Sequence, residues 1–345
     1  MAAKKPISII KKPIDKIKKR YNSFLKRRPH RSFRRTRRRD YVRSLKLPGY
    51  ISFTLYVNKT LWKNRKVFGL LALLYIVLTV LLTKIASQDI YSTLKDTIDT
   101  TSGDLFGSAI GELGKASLLF VTSASGGISQ SLTEAQQIYA GIIALLMWMT
   151  SVWLLRNILA GHKIKLRDGL YSAGAPIIST FIVALVFVVQ LLPLALALIG
   201  YAAASATGLL SGGVEAMLFW IAAGFLALLS IYWSTSTFFA LVIVTLPGMY
   251  PFKALQIAGD LVVGRRLRIL LRLLWMIVVA IVTWAIIMIP IIMIDGWAKD
   301  TWSAIYWVPT IPIILLLLGS LTIIWISSYV YLFYRKVVAD EAAPA

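Results

Sequence analysis

Six stretches of this 345-residue chain are apolar over a helix-spanning length, at about 67–86, 138–157, 173–199, 217–245, 270–294 and 308–334. A hydrocarbon core of ~30 Å takes ~20 residues of helix to cross. Backbone N–H and C=O groups in lipid must be satisfied internally, and a single segment achieves that only as a helix. The expected fold class is therefore all-α: a polytopic membrane bundle of about six transmembrane helices, edged by interfacial amphipathic helices. A mean hydropathy of +0.73 agrees with such a chain and is too high for a soluble domain.

Charge is distributed very unevenly along this apolar framework. Residues 1–48 hold 19 Lys and Arg against Asp15 and Asp40, so this stretch carries +17 of the chain's net +23. With that arm in the cytoplasm, the intervening segments alternate in sign. Segment 87–137 nets −4, 156–172 nets +3, 246–272 nets +4 and 295–307 nets −1. Segment 200–216 carries only Glu215, and Arg335 and Lys336 follow the last span. Every segment obeys the excess of Lys and Arg on the cytoplasmic side. The expected location is a bacterial inner (cytoplasmic) membrane, multi-pass, with both termini cytoplasmic.

The chain divides into a basic cytoplasmic arm (1–48), an interfacial helix (49–66), a six-span membrane domain (67–336) and a short cytoplasmic tail (337–345). In the arm, Ile7, Ile10, Ile14, Ile17, Tyr21 and Phe24 recur at helical steps with Lys between them, as in basic helices that lie on a membrane. Pro13 places the start of that helix near itself. The Arg-rich half, with Arg34, Arg35, Arg37, Arg38 and Arg39, has little apolar content and is expected to be partly disordered. The N-terminus does not read as a secretory signal, because its basic region is too long. Between the first two spans, residues 104–121 have helical spacing but are too short and charged to cross, which predicts a helix on the outer face. Ser131 to Glu134 reads as a capping box opening the second span.

Catalytic chemistry finds little to stand on. With no cysteine, thiolate nucleophiles and Cys-ligated metals are excluded, and His30 and His162 both lie in basic surroundings. No Asp, Glu or His falls near mid-depth of a span, where ionisable groups serve proton coupling or metal chemistry. The chain is expected to be non-enzymatic, with no cofactor and no metal site. The deepest polar features are Gln190 and the run Ser234, Thr235, Ser236 and Thr237. Such hydroxyls commonly bond carbonyls of their own helix, and a polar solute path is the sharper alternative. Pro193 and Pro290 fall inside spans and are expected to kink them.

The most informative stretch is Val244 to Trp275. Pro251 suits a first helical turn and Gly264 a helix end. Between them Lys253, Gln256 and Asp260 fall on one face, with Phe252, Leu255, Ala258 and Val262 on another. About a dozen residues reach only ~20 Å, which predicts a helix in the inner interface and not a seventh span. In Ala254, Leu255, Leu261, Val262, Gly264 and Arg265 this stretch resembles the loop of bacterial six-helix membrane domains. These include the membrane domain of glycerophosphoryl diester phosphodiesterases and related uncharacterised membrane proteins. Ala258 and Gly259 depart from the pattern, which has Ser and an aromatic there. The resemblance implies architecture more than activity, and no phosphodiesterase domain accompanies it.

Membrane lipids, with anionic headgroups, are the expected partners. Lys253, Arg265, Arg266 and Arg268 are candidate phosphate contacts, as are the five arginines of the arm. Nucleic acid is the alternative partner for residues 27–46. The expected role is membrane organisation or assistance to other membrane proteins. The alternatives are a transporter or channel for a small or lipidic solute, and a membrane-anchored RNA or ribosome tether.

Overall fold

A computed structural model describes residues 47–83, 134–207, 210, 212–302, 308 and 310–342. The arm to residue 46, the helix expected over 104–121 and the Ser131 end of the capping box lie outside the described residues. Among the described residues there are nine helices and no strand. They are α1 (Tyr50–Lys63), α2 (Arg65–Thr83), α3 (Glu134–Leu159), α4 (Leu166–Ala173), α5 (Ile177–Ala206), α6 (Gly213–Ile243), α7 (Pro251–Val262), α8 (Arg266–Thr301) and α9 (Thr310–Ala342). Six of them, α2, α3, α5, α6, α8 and α9, are long and apolar enough to cross a membrane. The fold is an all-α bundle of the multi-pass membrane type. Among the described residues, 47–262 and those from Arg266 onward belong to one compact unit.

α9 is the hub of the main unit, packing against α1, α2, α3, α6 and α8. Lipid offers no hydrophobic gain for bringing helices together, so close packing and interhelical hydrogen bonds must do so. Both are present. The Tyr75 hydroxyl of α2 lies 3.0 Å from Thr150 Oγ1 of α3. Trp284 Nε1 of α8 donates to Thr322 Oγ1 of α9 at 2.8 Å. Around these bonds Met147, Leu154, Phe239, Tyr329 and Phe333 are fully buried.

α5 and α6 form the most extensive helix pair of the bundle. Pro193 lies inside α5, and the helix continues through it. The next N–H, of Leu194, donates across to Ser230 Oγ of α6 at 3.0 Å, so the neighbouring helix takes up a donor at the proline. After α6 the chain turns at Gly248, with φ +74°, and α7 folds back against α6 and α5. Gly264, expected to end α7, has φ +79°, the left-handed conformation a side chain disfavours.

Two features differ from the sequence reading. Residues 166–173, expected as inner loop up to 172, form the separate helix α4, and the third span begins at Ile177 and not at 173. Asp168 Oδ2 accepts from the Lys165 N–H at 3.1 Å and so closes the first turn of α4. The bend before Pro176 then separates α4 from α5. In α7 the buried residues are Ala254, Ala258, Leu261 and Val262, while Phe252 is exposed. Alanine at positions four apart lets α7 lie close to its neighbours, and bulky Phe252 is left outside.

Candidate functional site at the basic end of the bundle

The candidate site lies where α1 enters and α9 leaves the bundle. Phe53 of α1 packs edge-on against Tyr329 and Phe333 of α9, with ring centroids 4.9 and 6.1 Å apart. Trp325 Nε1 of α9 donates to Asn58 Oδ1 at 2.7 Å. On the other side, Trp275 Nε1 of α8 donates to Thr54 Oγ1 at 3.1 Å. Phe53, Thr54 and Val57 form the buried stripe of α1 that these partners cover.

Arg272 completes the dock. It is 6% exposed, and its guanidinium donates to the carbonyls of Pro48 and of Gly49, the latter at 3.3 Å. It also sits over the Tyr50 ring at 4.2 Å. A cation at a helix N-terminus works against the helix dipole, so it needs such acceptors and an aromatic face to be held there. Pro48 and Gly49 are the residues through which the arm joins α1. Arg272 was not among the expected site residues. Its signal in the sequence was weak: an arginine four residues after Arg268, at the start of an apolar span.

Two more arginines hold turns and helices together. Arg156, at the end of α3, donates to the Thr245 carbonyl at 3.2 Å, just past α6, where a cation complements the helix dipole. Trp148 Nε1 reaches the Leu241 carbonyl at 3.2 Å on the same side. Arg266, at the first turn of α8, lies over the Tyr232 ring of α6 at 3.7 Å.

The expected phosphate contacts fall into different settings. Lys253 and Arg268 are exposed, Arg265 is 4% exposed, and Arg266 is stacked on Tyr232. Arg34, Arg35, Arg37, Arg38 and Arg39 lie outside the described residues. Exposed lysines and arginines also ring this end, among them Lys59, Lys63, Lys66, Lys165, Arg335 and Lys336.

The expected polar path falls within the α5–α6 pair. Thr237 Oγ1 donates to Gln190 Oε1 at 2.6 Å, joining α6 to α5. Ser234 and Thr235 donate to the Ser230 and Ile231 carbonyls, both at 2.7 Å, and Ser236 donates to the Trp233 carbonyl at 3.1 Å. The structure thus brings Gln190 and Thr237 together and turns the other three hydroxyls onto their own helix. Among the described residues, no group of three His, Cys, Asp or Glu could hold a metal ion.

Comparison with protein-family models, with curated proteins and with solved structures gives no match to this chain.

Proposed function

We propose that this is a non-enzymatic protein of a bacterial cytoplasmic membrane, with both termini in the cytoplasm. Its basic arm gathers anionic lipid at the inner leaflet, in service of membrane organisation or of other membrane proteins. One observation carries the reading: the dock of α1, in which buried Arg272 holds the carbonyls of Pro48 and Gly49. The residues that join the basic arm to α1 are thus held by backbone hydrogen bonds and not by a free joint. Basic residues near an anionic leaflet contribute on the order of 1 kcal/mol each. The resemblance to six-helix membrane domains of the phosphodiesterase type belongs to this proposal and bears on architecture alone.

Lipid mass spectrometry of the protein purified in mild detergent tests it. The full chain should enrich anionic phospholipid over the membrane average. A variant with Arg34, Arg35, Arg37, Arg38 and Arg39 changed to Gln should lose most of that enrichment. Equal binding of the full chain to neutral and anionic vesicles would defeat the proposal. Tighter binding to structured RNA, with a salt slope that falls by ~0.7–0.9 per arginine removed, would favour the tether instead.

A further inference from the structure

An apolar groove of about 510 Å³ runs between α6 and α8. Phe225, Leu228 and Leu229 of α6 and Leu267 and Leu270 of α8 line it, and Tyr232 and Arg266 stand in it as the one ring–cation pair. Its volume lies within the ~300–1,000 Å³ of small-molecule sites. Along α6 it reaches from Phe225 to Thr235, ten helical steps or ~15 Å, which is about half of a ~30 Å hydrocarbon core. Phe225, Leu228 and Leu267 are 65%, 67% and 68% exposed, so the groove is open along its side and has the form of a slot for a chain.

We propose that this groove holds one phospholipid, an acyl chain lying along Phe225–Thr235 and the phosphate on Arg266. Charge complementarity identifies the occupant. The lining is apolar apart from Thr235, whose hydroxyl bonds the Ile231 carbonyl, the Tyr232 hydroxyl and the Arg266 guanidinium. A guanidinium stacks through its face and grips phosphate through its edge, so Tyr232 and a headgroup can hold Arg266 together. The inference deepens the lipid reading above and rests on its placing Arg266 at the cytoplasmic leaflet, but it does not use the arm. A site built on a phosphate and a chain accepts zwitterionic as well as anionic phospholipid, whereas the arm requires net negative charge.

Native mass spectrometry of the full chain, loaded with defined lipids in detergent, tests this. One phosphatidylglycerol or phosphatidylcholine should survive delipidation, with retentions within threefold of each other. Diacylglycerol with the same chains should be retained at least tenfold less. Arg266→Gln and Leu228→Trp, which fills the slot, should each lower phospholipid retention at least tenfold. The arm variant with five glutamines should leave it within twofold. Because either groove variant can fail to fold, the wild type carries a second measurement. A photoreactive acyl chain should crosslink to peptides covering Phe225–Thr235 and Leu267–Leu270. Equal retention of diacylglycerol, or crosslinks confined to other helices, would overturn the proposal. Loss of retention in the arm variant alone would overturn it too and leave the arm reading standing. Loss in the groove variants, with anionic enrichment unchanged in the arm variant, would sustain the groove and remove the arm.

Discussion

The two halves of this bundle solve the problem of packing in lipid differently. α3 and α9 bury 44% and 39% of their most apolar stretches inside the protein, while α5 and α6 bury 11% and 6%. The α5–α6 pair is more apolar than α3, yet it packs less. Hydropathy alone therefore says which segments enter the bilayer and not which ones meet each other, because lipid is as good a neighbour as leucine. What distinguishes the packed block is small and aromatic residues at close quarters. Ser151, Ser327 and Ser328 are fully buried there, among Tyr75, Phe239, Tyr329 and Phe333. The α5–α6 pair relies on a few specific bonds: Gln190 to Thr237, and Ser230 to the Leu194 N–H.

α6 passes through both environments, so one helix allows the sharpest contrast. Ile243 is 1% exposed and Ile221 62% exposed. Ile243→Ala should destabilise the protein by ~2–5 kcal/mol, the range for truncating a buried aliphatic side chain. Ile221→Ala should stay within ~0.5 kcal/mol. Unfolding in mild detergent measures both. Similar losses at the two positions would mean that another surface covers the α5–α6 pair in the purified protein.

Glycines give a smaller effect of opposite sign in the two regions. A Cβ on Gly169 of α4 would sit 2.8 Å from Leu154 Cδ2 of α3, whereas one on Gly224 of α6 would meet nothing within 4 Å. Gly169→Ala should cost ~1–3 kcal/mol by overpacking. Gly224→Ala should instead gain up to ~1 kcal/mol from helix propensity. Thermal unfolding of the pair of variants reads the sign directly. The smallest effect is expected at the interhelical bond. Thr237→Val keeps the shape and removes the bond to Gln190, at a cost of ~0.6 kcal/mol, the average for hydrogen bonds between membrane helices. A loss above ~2 kcal/mol would show Gln190 to be a keystone and not one bond among several.

The six spans were legible because length and apolarity alone report them. Their ends were less so. The fifth was expected over 270–294 and its helix runs Arg266–Thr301, because helical hydrogen bonding continues into the interface where apolarity stops. α4 was hidden in a loop whose charges drew the eye to topology, though Gly174 and Pro176 mark its boundary with α5. The buried face of α7 was partly misjudged, since alanines gave a weaker signal than Phe252. Arg272 was out of reach, because its partners are backbone carbonyls more than two hundred residues away. No pattern of residue types announces such acceptors.

The proposed topology has six crossings, with the basic end of the bundle in the cytoplasm. The chain has no cysteine, so single-cysteine variants report one site each. Glu215 and Lys163 are both exposed, on opposite sides of α5. In intact cells a membrane-impermeant thiol reagent should label Glu215→Cys and spare Lys163→Cys until the membrane is opened. Labelling of Lys163→Cys from outside, with Glu215→Cys protected, would invert the protein and contradict the account.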